Sequence, residues 1–180
     1  MIITYGEWGE DNMQNKYPRG SEWRKWDLHV HTASSYDRKY GGTDADELLV
    51  KAWRENNIAA VAITDHFLID KSRIVKLKEL APEITIFPGV ELRTDKGAAN
   101  LHIIAIFHED MNLETLSADF DAIMIRQNAK EPDDPSKTYW DFEHIREFVQ
   151  QRNGVLSIHA GHKTQGVDDV IRTTSRGRFY

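Results

Sequence analysis

The chain has 180 residues and 40% hydrophobic side chains, which suits one globular domain rather than a disordered or fibrous chain. A net charge of −6 with no basic block argues against autonomous nucleic-acid binding, although a local basic patch or a bridging metal could still receive phosphates. The lack of cysteine excludes disulfides, thiolate metal sites and a cysteine nucleophile, so any metal must be held by His, Asp and Glu.

Residues 1–22 show no clear period and read as an irregular arm ahead of a domain over 23–180. Trp8, Trp23 and Trp26 suggest that the arm or its junction packs on something apolar. The N-terminus carries Glu7 and no long apolar run, so a signal peptide is not expected. No segment is long enough to cross a membrane, and a cytoplasmic location is expected.

A first strand is predicted over Trp26–His31. Strand side chains alternate faces, so Asp27, His29 and His31 are expected to point one way and Leu28 and Val30 the other. After a loop containing Asp37, Thr43 to Asp46 matches a capping box and opens a helix through Asn56, with Leu48, Leu49, Ala52 and Trp53 on one face. Ile58–Ile63 is a continuous apolar run, as suits a strand buried on both faces, and it ends in Thr64-Asp65-His66. A second helix is predicted over Lys71–Leu80, stopped by Pro82. A third strand, Ile84–Phe87, leads into Pro88-Gly89-Val90-Glu91. The Asp95-Lys96-Gly97 turn signal predicts a hairpin with a fourth strand, Leu101–Phe107, which would bring His102 near Glu91. Helices are predicted over Leu113–Asn128 and Tyr139–Arg152, the latter ended by Asn153-Gly154 with glycine at the helix C′ position. A fifth strand, Val155–His159, and a short helix near Val167–Thr173 complete the pattern.

Strands alternating with helices predict a mostly parallel α/β fold, with its site at the C-terminal ends of the strands. His29, His31, Asp65, His66, Glu91 and His159 fall at such ends, and the hairpin adds His102. So many ligand-type groups on one rim would be expensive to desolvate without a cation. Imidazoles mixed with carboxylates suit zinc, manganese or iron, and a carboxylate such as Glu91 can bridge two ions. A lone histidine at a strand end would read more plainly as a hydrogen-bonded core residue. His108 and His144 match no motif, and His144 lies in an amphipathic helix.

Asp27 to Thr32, Ile63 to His66, Pro88 to Glu91, His102 and Ser157 to His159 resemble the successive motifs of the PHP (polymerase and histidinol phosphatase) domain, over about residues 26–160. Gly20 to Asp27 and His159 to Lys163 are more narrowly similar to the N-terminal PHP module of TrlF-type ATPases, which are associated with DNA repair or defence. The resemblance implies a distorted, TIM-like (β/α)7 barrel holding up to three divalent ions (zinc, manganese or iron). It implies hydrolysis of a phosphomonoester, a nucleotide or a DNA phosphodiester end by metal-activated water, with no protein nucleophile. Carried over residue by residue, His29, His31 and Glu91 would ligate a first metal. Glu91, His102 and His159 would ligate a second, and His66 with Asp37 a third. Asp65 could bind metal or orient an imidazole, and His162 is a further possible ligand. Lys163, Arg172 and Arg176 are candidates for the substrate phosphate, or ordinary surface charge.

The family's closing Asp-x-His pair is not found after His159, and five strands are counted where the family has seven. The chain therefore reads as the front part of a PHP barrel: a truncation, a natural short product, or a chain that borrows strands from a partner. Open barrel edges would favour association, including homo-oligomers, and an ATPase domain is an expected partner. Two other readings stay open. One is a non-catalytic metal-binding, regulatory or interaction module. The other is a metal-dependent amidohydrolase, which commonly bridges its metals with a lysine rather than a glutamate.

Overall fold

Alternating apolar and amphipathic segments build the fold, which the computed structural model describes for residues 23–96, 100–122 and 137–158. The arm at 1–22, the helix expected at 167–173, and His159, His162, Lys163, Arg172 and Arg176 lie outside them.

The described elements run β1 (Lys25–Val30), α1 (Ala45–Glu55), β2 (Ile58–Ile63), α2 (Lys71–Leu80), β3 (Thr85–Arg93), β4 (His102–Ile106), α3 (Leu113–Phe120), α4 (Phe142–Gln150) and β5 (Val155–Ile158). The strands form one five-stranded sheet in the order β1-β2-β3-β4-β5. The pairs β1–β2 and β2–β3 are parallel, whereas β3–β4 and β4–β5 are antiparallel. The expected mostly parallel sheet is thus a mixed one: the β3–β4 hairpin reverses β4, and β5 returns to the direction of β1, β2 and β3.

β3 is longer than the sequence suggests. It continues through Pro88-Gly89 to Arg93 and exchanges neighbours as it goes, pairing with β2 up to Pro88 and with β4 from Gly89. Pro88 has no N–H to give, but its carbonyl accepts from Phe107 N at 2.8 Å. A Cβ on Gly89 would lie 2.7 Å from Ala105 O and 3.1 Å from Ile63 O, so only glycine lets both neighbouring strands come this close. This change of neighbours keeps Glu91 within β3, two residues past Gly89, rather than beyond the end of the strand.

α1 starts one residue later than its expected capping box. Asp44 is the N-cap residue but makes no side-chain cap. Its carboxylate accepts Tyr40 OH at 2.6 Å, and Asp46 pairs with Arg73 and Lys76 instead of reaching back. The buried face of α1 is Asp46, Val50 and Trp53, with Leu49 half-buried. Leu48 and Ala52 are exposed, contrary to the expected face. α2 is capped by Asp70, which accepts from Arg73 N at 3.0 Å. At the end of α4 the left-handed residue is Asn153 (φ 51°) rather than Gly154, which is needed instead for close approach to Val149 and Phe107.

The core lies between sheet and helices. Val61, Ile63, Ile74, Leu77, Ile86, Leu92, Ile103, Leu116 and Phe120 are almost fully buried, and each such side chain contributes about 1.5–3 kcal/mol. His29 on β1 and His102 on β4 both reach the carboxylate of Glu91, each at 2.5 Å. In a flat sheet three strand spacings would hold β1 and β4 roughly 14 Å apart. The sheet therefore curls toward the face that bears the histidines. No described helix is long and apolar enough to cross a membrane.

Candidate metal centre

Glu91 is the hub. Its backbone is clamped by two bonds from the segment after β2: Glu91 N donates to Asp65 O at 3.2 Å, and Phe67 N donates to Glu91 O at 3.1 Å. Its side chain is buried and meets an imidazole on each side. His29 Nε2 lies 2.5 Å and His31 Nε2 3.0 Å from Oε2, and His102 Nδ1 lies 2.5 Å from Oε1. His66 Nε2 approaches Oε2 at 3.9 Å and Asp37 Oδ2 at 3.3 Å.

β1 delivers its two histidines through an irregularity. Asp27 pairs with Val61 and Val30 with Ile63, three steps on β1 against two on β2. The extra residue is a bulge, which re-aims side chains next to it. His29 and His31 both reach Glu91, while Asp27 stays exposed, its carboxylate accepting from His29 N at 3.3 Å. The expected shared face of Asp27 with the two histidines is therefore not formed around Glu91.

Among the described residues three overlapping ligand sets result: His29, His31 and Glu91; His31, Asp37 and His66; and His66, Glu91 and His102. Within each set the donor atoms lie within 4.8 Å of one another. Asp65 belongs to none of them. Its two oxygens accept from Thr32 N at 2.6 Å and Thr32 Oγ1 at 2.7 Å, so its carboxylate holds the start of the loop after β1.

Burial opposes charge on Glu91, yet hydrogen bonds from His102, His29 and His31 outweigh it and keep the carboxyl far below the usual range. Burial also disfavours protonated His31, but Glu91 outweighs it and raises that pKa above 6.5. For His66 burial prevails and pushes the pKa down to about 4, leaving a neutral ring. Among the described residues, His31 Nδ1 and His66 Nδ1 are buried without a hydrogen-bond partner, in rings stacked at 4.6 Å. Buried unpartnered nitrogens are costly, and they lie in a donor set of nitrogens and oxygens suited to a divalent ion. The residues present fit such a cation.

Two supporting residues were not singled out from sequence. Ser35, fully buried, donates to Asp37 Oδ1 at 2.6 Å and accepts from His66 N at 3.3 Å, tying two ligand-set residues together. Arg93 donates from Nε to His102 Nε2 at 2.9 Å and from Nη2 to Tyr36 OH at 2.6 Å. The neutral His102 ring must then carry its proton on Nδ1, facing Glu91. As arranged, His102 orients the Glu91 carboxylate, and ligation through Nδ1 would require that proton to leave. A usable signal existed for Arg93: it lies two residues after Glu91 on β3 and directly opposite His102 on β4. His108 is exposed, and His144 sits in the first turn of α4, whose cap Asp141 accepts from its N–H at 3.3 Å.

No protein-family model matches the chain, and no curated protein sequence does. Solved structures do. A provisionally assigned metal-dependent phosphoesterase of Bifidobacterium adolescentis is similar at TM-score 0.52 and 15% identity, over 86% of this chain and 75% of that one. An amidohydrolase of Chromobacterium violaceum, solved with sulfate and no metal, is similar at TM-score 0.51 and 16% identity, over 82% of this chain and 71% of that one. Likeness at this identity establishes a shared fold.

Proposed function

We propose that this chain is a metal-dependent phosphoesterase of the PHP type. One observation carries the reading: a buried, ionised carboxylate, Glu91, has three imidazoles at hydrogen-bond distance and a fourth at 3.9 Å. His29, His31, Asp37, His66 and Glu91 are the proposed cation-holding groups. His102 steadies Glu91, and with His159 it is the proposed completion of the second position. A divalent cation bound there supplies Lewis-acid polarisation of a phosphoryl oxygen and acidifies a water. The protein's part is to hold the donor atoms in place: Asp65 anchors the loop, Ser35 ties Asp37 to the His66 backbone, and the Asp65–Phe67 clamp fixes Glu91.

The fold shared with a provisionally assigned metal-dependent phosphoesterase supports the ester substrate. The amidohydrolase among the similar structures keeps amide hydrolysis as the second reading. A glutamate at the hub, where amidohydrolases commonly place a lysine, favours the ester. The narrower proposals rest on the sequence resemblance: zinc, manganese or iron as the ion, DNA ends among the ester substrates, and association with an ATPase domain.

The test is hydrolysis of p-nitrophenyl phosphate and bis(p-nitrophenyl) phosphate by the manganese-loaded chain, beside a p-nitroanilide. Ester cleavage that falls by at least about a hundredfold in His29→Ala supports the proposal. Cleavage of the anilide alone transfers the function to amides. Full metal loading with neither activity makes the chain a binding module.

A further inference from the structure

A cavity of about 580 Å³ opens beside the His31–Asp37–His66 set, between the loop after β1 and the outer face of α1. Its inner end is His31 and Asp37, its loop wall includes Arg38 and Lys39, and its helix wall is Ala45, Leu48, Leu49 and Ala52. The volume falls in the range of small-molecule sites.

The two cations are the unusual part. Arg38 and Lys39 are exposed and make no ion pair among the described residues, in a chain whose net charge is −6. Asp46, the buried acid at the cavity edge, is already neutralised by Arg73 and Lys76. The loop that presents them is pinned. Asp65 holds Thr32, Ser34 donates to Asp70 at 2.7 Å and receives Arg73 Nε at 2.7 Å, and Arg38 N donates to Ser35 O at 3.2 Å. Arg38 and Lys39 line the same cavity as His31 and Asp37, so a group that bridges a cation at Asp37 would share that cavity with both positive charges. A guanidinium and an ammonium lining one cavity suit the oxygens of a phosphate dianion. Leu48 and Ala52 leave apolar surface in water unless an apolar group covers them.

We propose that this cavity is the substrate's specificity site, with Arg38 and Lys39 binding the phosphate of a phosphomonoester and the α1 wall taking an apolar, aromatic ester group. The proposal rests on the phosphoesterase reading for its metal-side end. Asp37 would repel a phosphate unless a cation lies between them, so binding should require metal.

The test uses the full 180-residue chain loaded with manganese, titrated calorimetrically with phenylphosphonate and methylphosphonate, which cannot be hydrolysed. Phenylphosphonate should bind about tenfold tighter than methylphosphonate. Arg38→Gln with Lys39→Gln should weaken both by about tenfold or more with metal content unchanged, and Leu48→Ser should weaken phenylphosphonate alone. All three positions are exposed, so folding should survive, as circular dichroism would verify. Equal affinity for the two phosphonates, no binding of either, or wild-type affinity in the double variant overturns the site. If the phosphonates bind as expected but no ester is cleaved, the phosphoesterase reading fails and the cavity stands. If ester cleavage persists with an unchanged KM in the double variant, the cavity fails and the phosphoesterase reading stands.

Discussion

Arg93 Nε donates to Nε2 of His102 at 2.9 Å, and this bond decides which nitrogen of the ring faces Glu91. The guanidinium is buried, lies 5.2 Å from the centroid of the Phe67 ring, and also donates to Tyr36. It therefore acts on the hub carboxylate through His102.

Replacing Arg93 with alanine should release the His102 ring and let Glu91 reorient. Metal affinity should fall by about 10- to 100-fold, the range for lost supporting contacts. Arg93→Lys should restore little, because an ammonium cannot hold His102 and Tyr36 in one planar fork. Competition titration against a chelating dye measures both. Wild-type affinity in Arg93→Ala would remove Arg93 from the account.

Metal binding should weaken in acid, and His31 should set where. Its pKa lies above 6.5, so below that value a cation must displace its proton, whereas His66, at about 4, is already neutral. Affinity should drop by up to about tenfold per pH unit below the His31 pKa. In the metal-free protein the two rings act oppositely. The stabilisation from His66 is complete above 6.5 and lost as pH falls toward 4. That from His31 is complete below 6.5 and lost as pH rises through its raised pKa. Chelation should accordingly lower Tm less at about pH 5.5 than at about pH 7.5. An equal drop at both would contradict the assignment of His31.

Gly89→Ala should destabilise the fold by about 1–3 kcal/mol, since the new Cβ would meet backbone oxygen on one strand and crowd the other. Because Glu91 lies two residues further along β3, metal affinity should fall as well. Urea denaturation of the metal-free protein separates the first effect from the second. An unchanged midpoint would mean that the two strands can part at no cost.

Much of this arrangement was legible in the sequence because strand periodicity and strand ends are local signals. His29-x-His31, the apolar run ending at His66 and the turn that brings His102 beside Glu91 all follow from spacing. What escaped depends on partners distant in sequence. The β1 bulge that leaves Asp27 outside comes from the mismatch with β2, and nothing in Asp27 to Thr32 announces it. Sequence ends the third strand at Phe87, whereas β3 runs on to Arg93, so Arg93 was missed although it shares a face with Glu91. Leu48 reads as a core residue by helical period, but Asp46 turned inward to meet Arg73 and Lys76, and Leu48 was left on the cavity side.

We propose above all that Glu91 and its ring of imidazoles hold a divalent ion. Elemental analysis of the wild-type chain and Glu91→Gln, after dialysis against manganese or zinc and removal of free metal, tests it directly. Glutamine keeps the shape and removes the charge, so about one ion or more per wild-type chain and a large loss in the variant are expected. A wild-type chain that retains no ion, or a variant that retains as much, would contradict it.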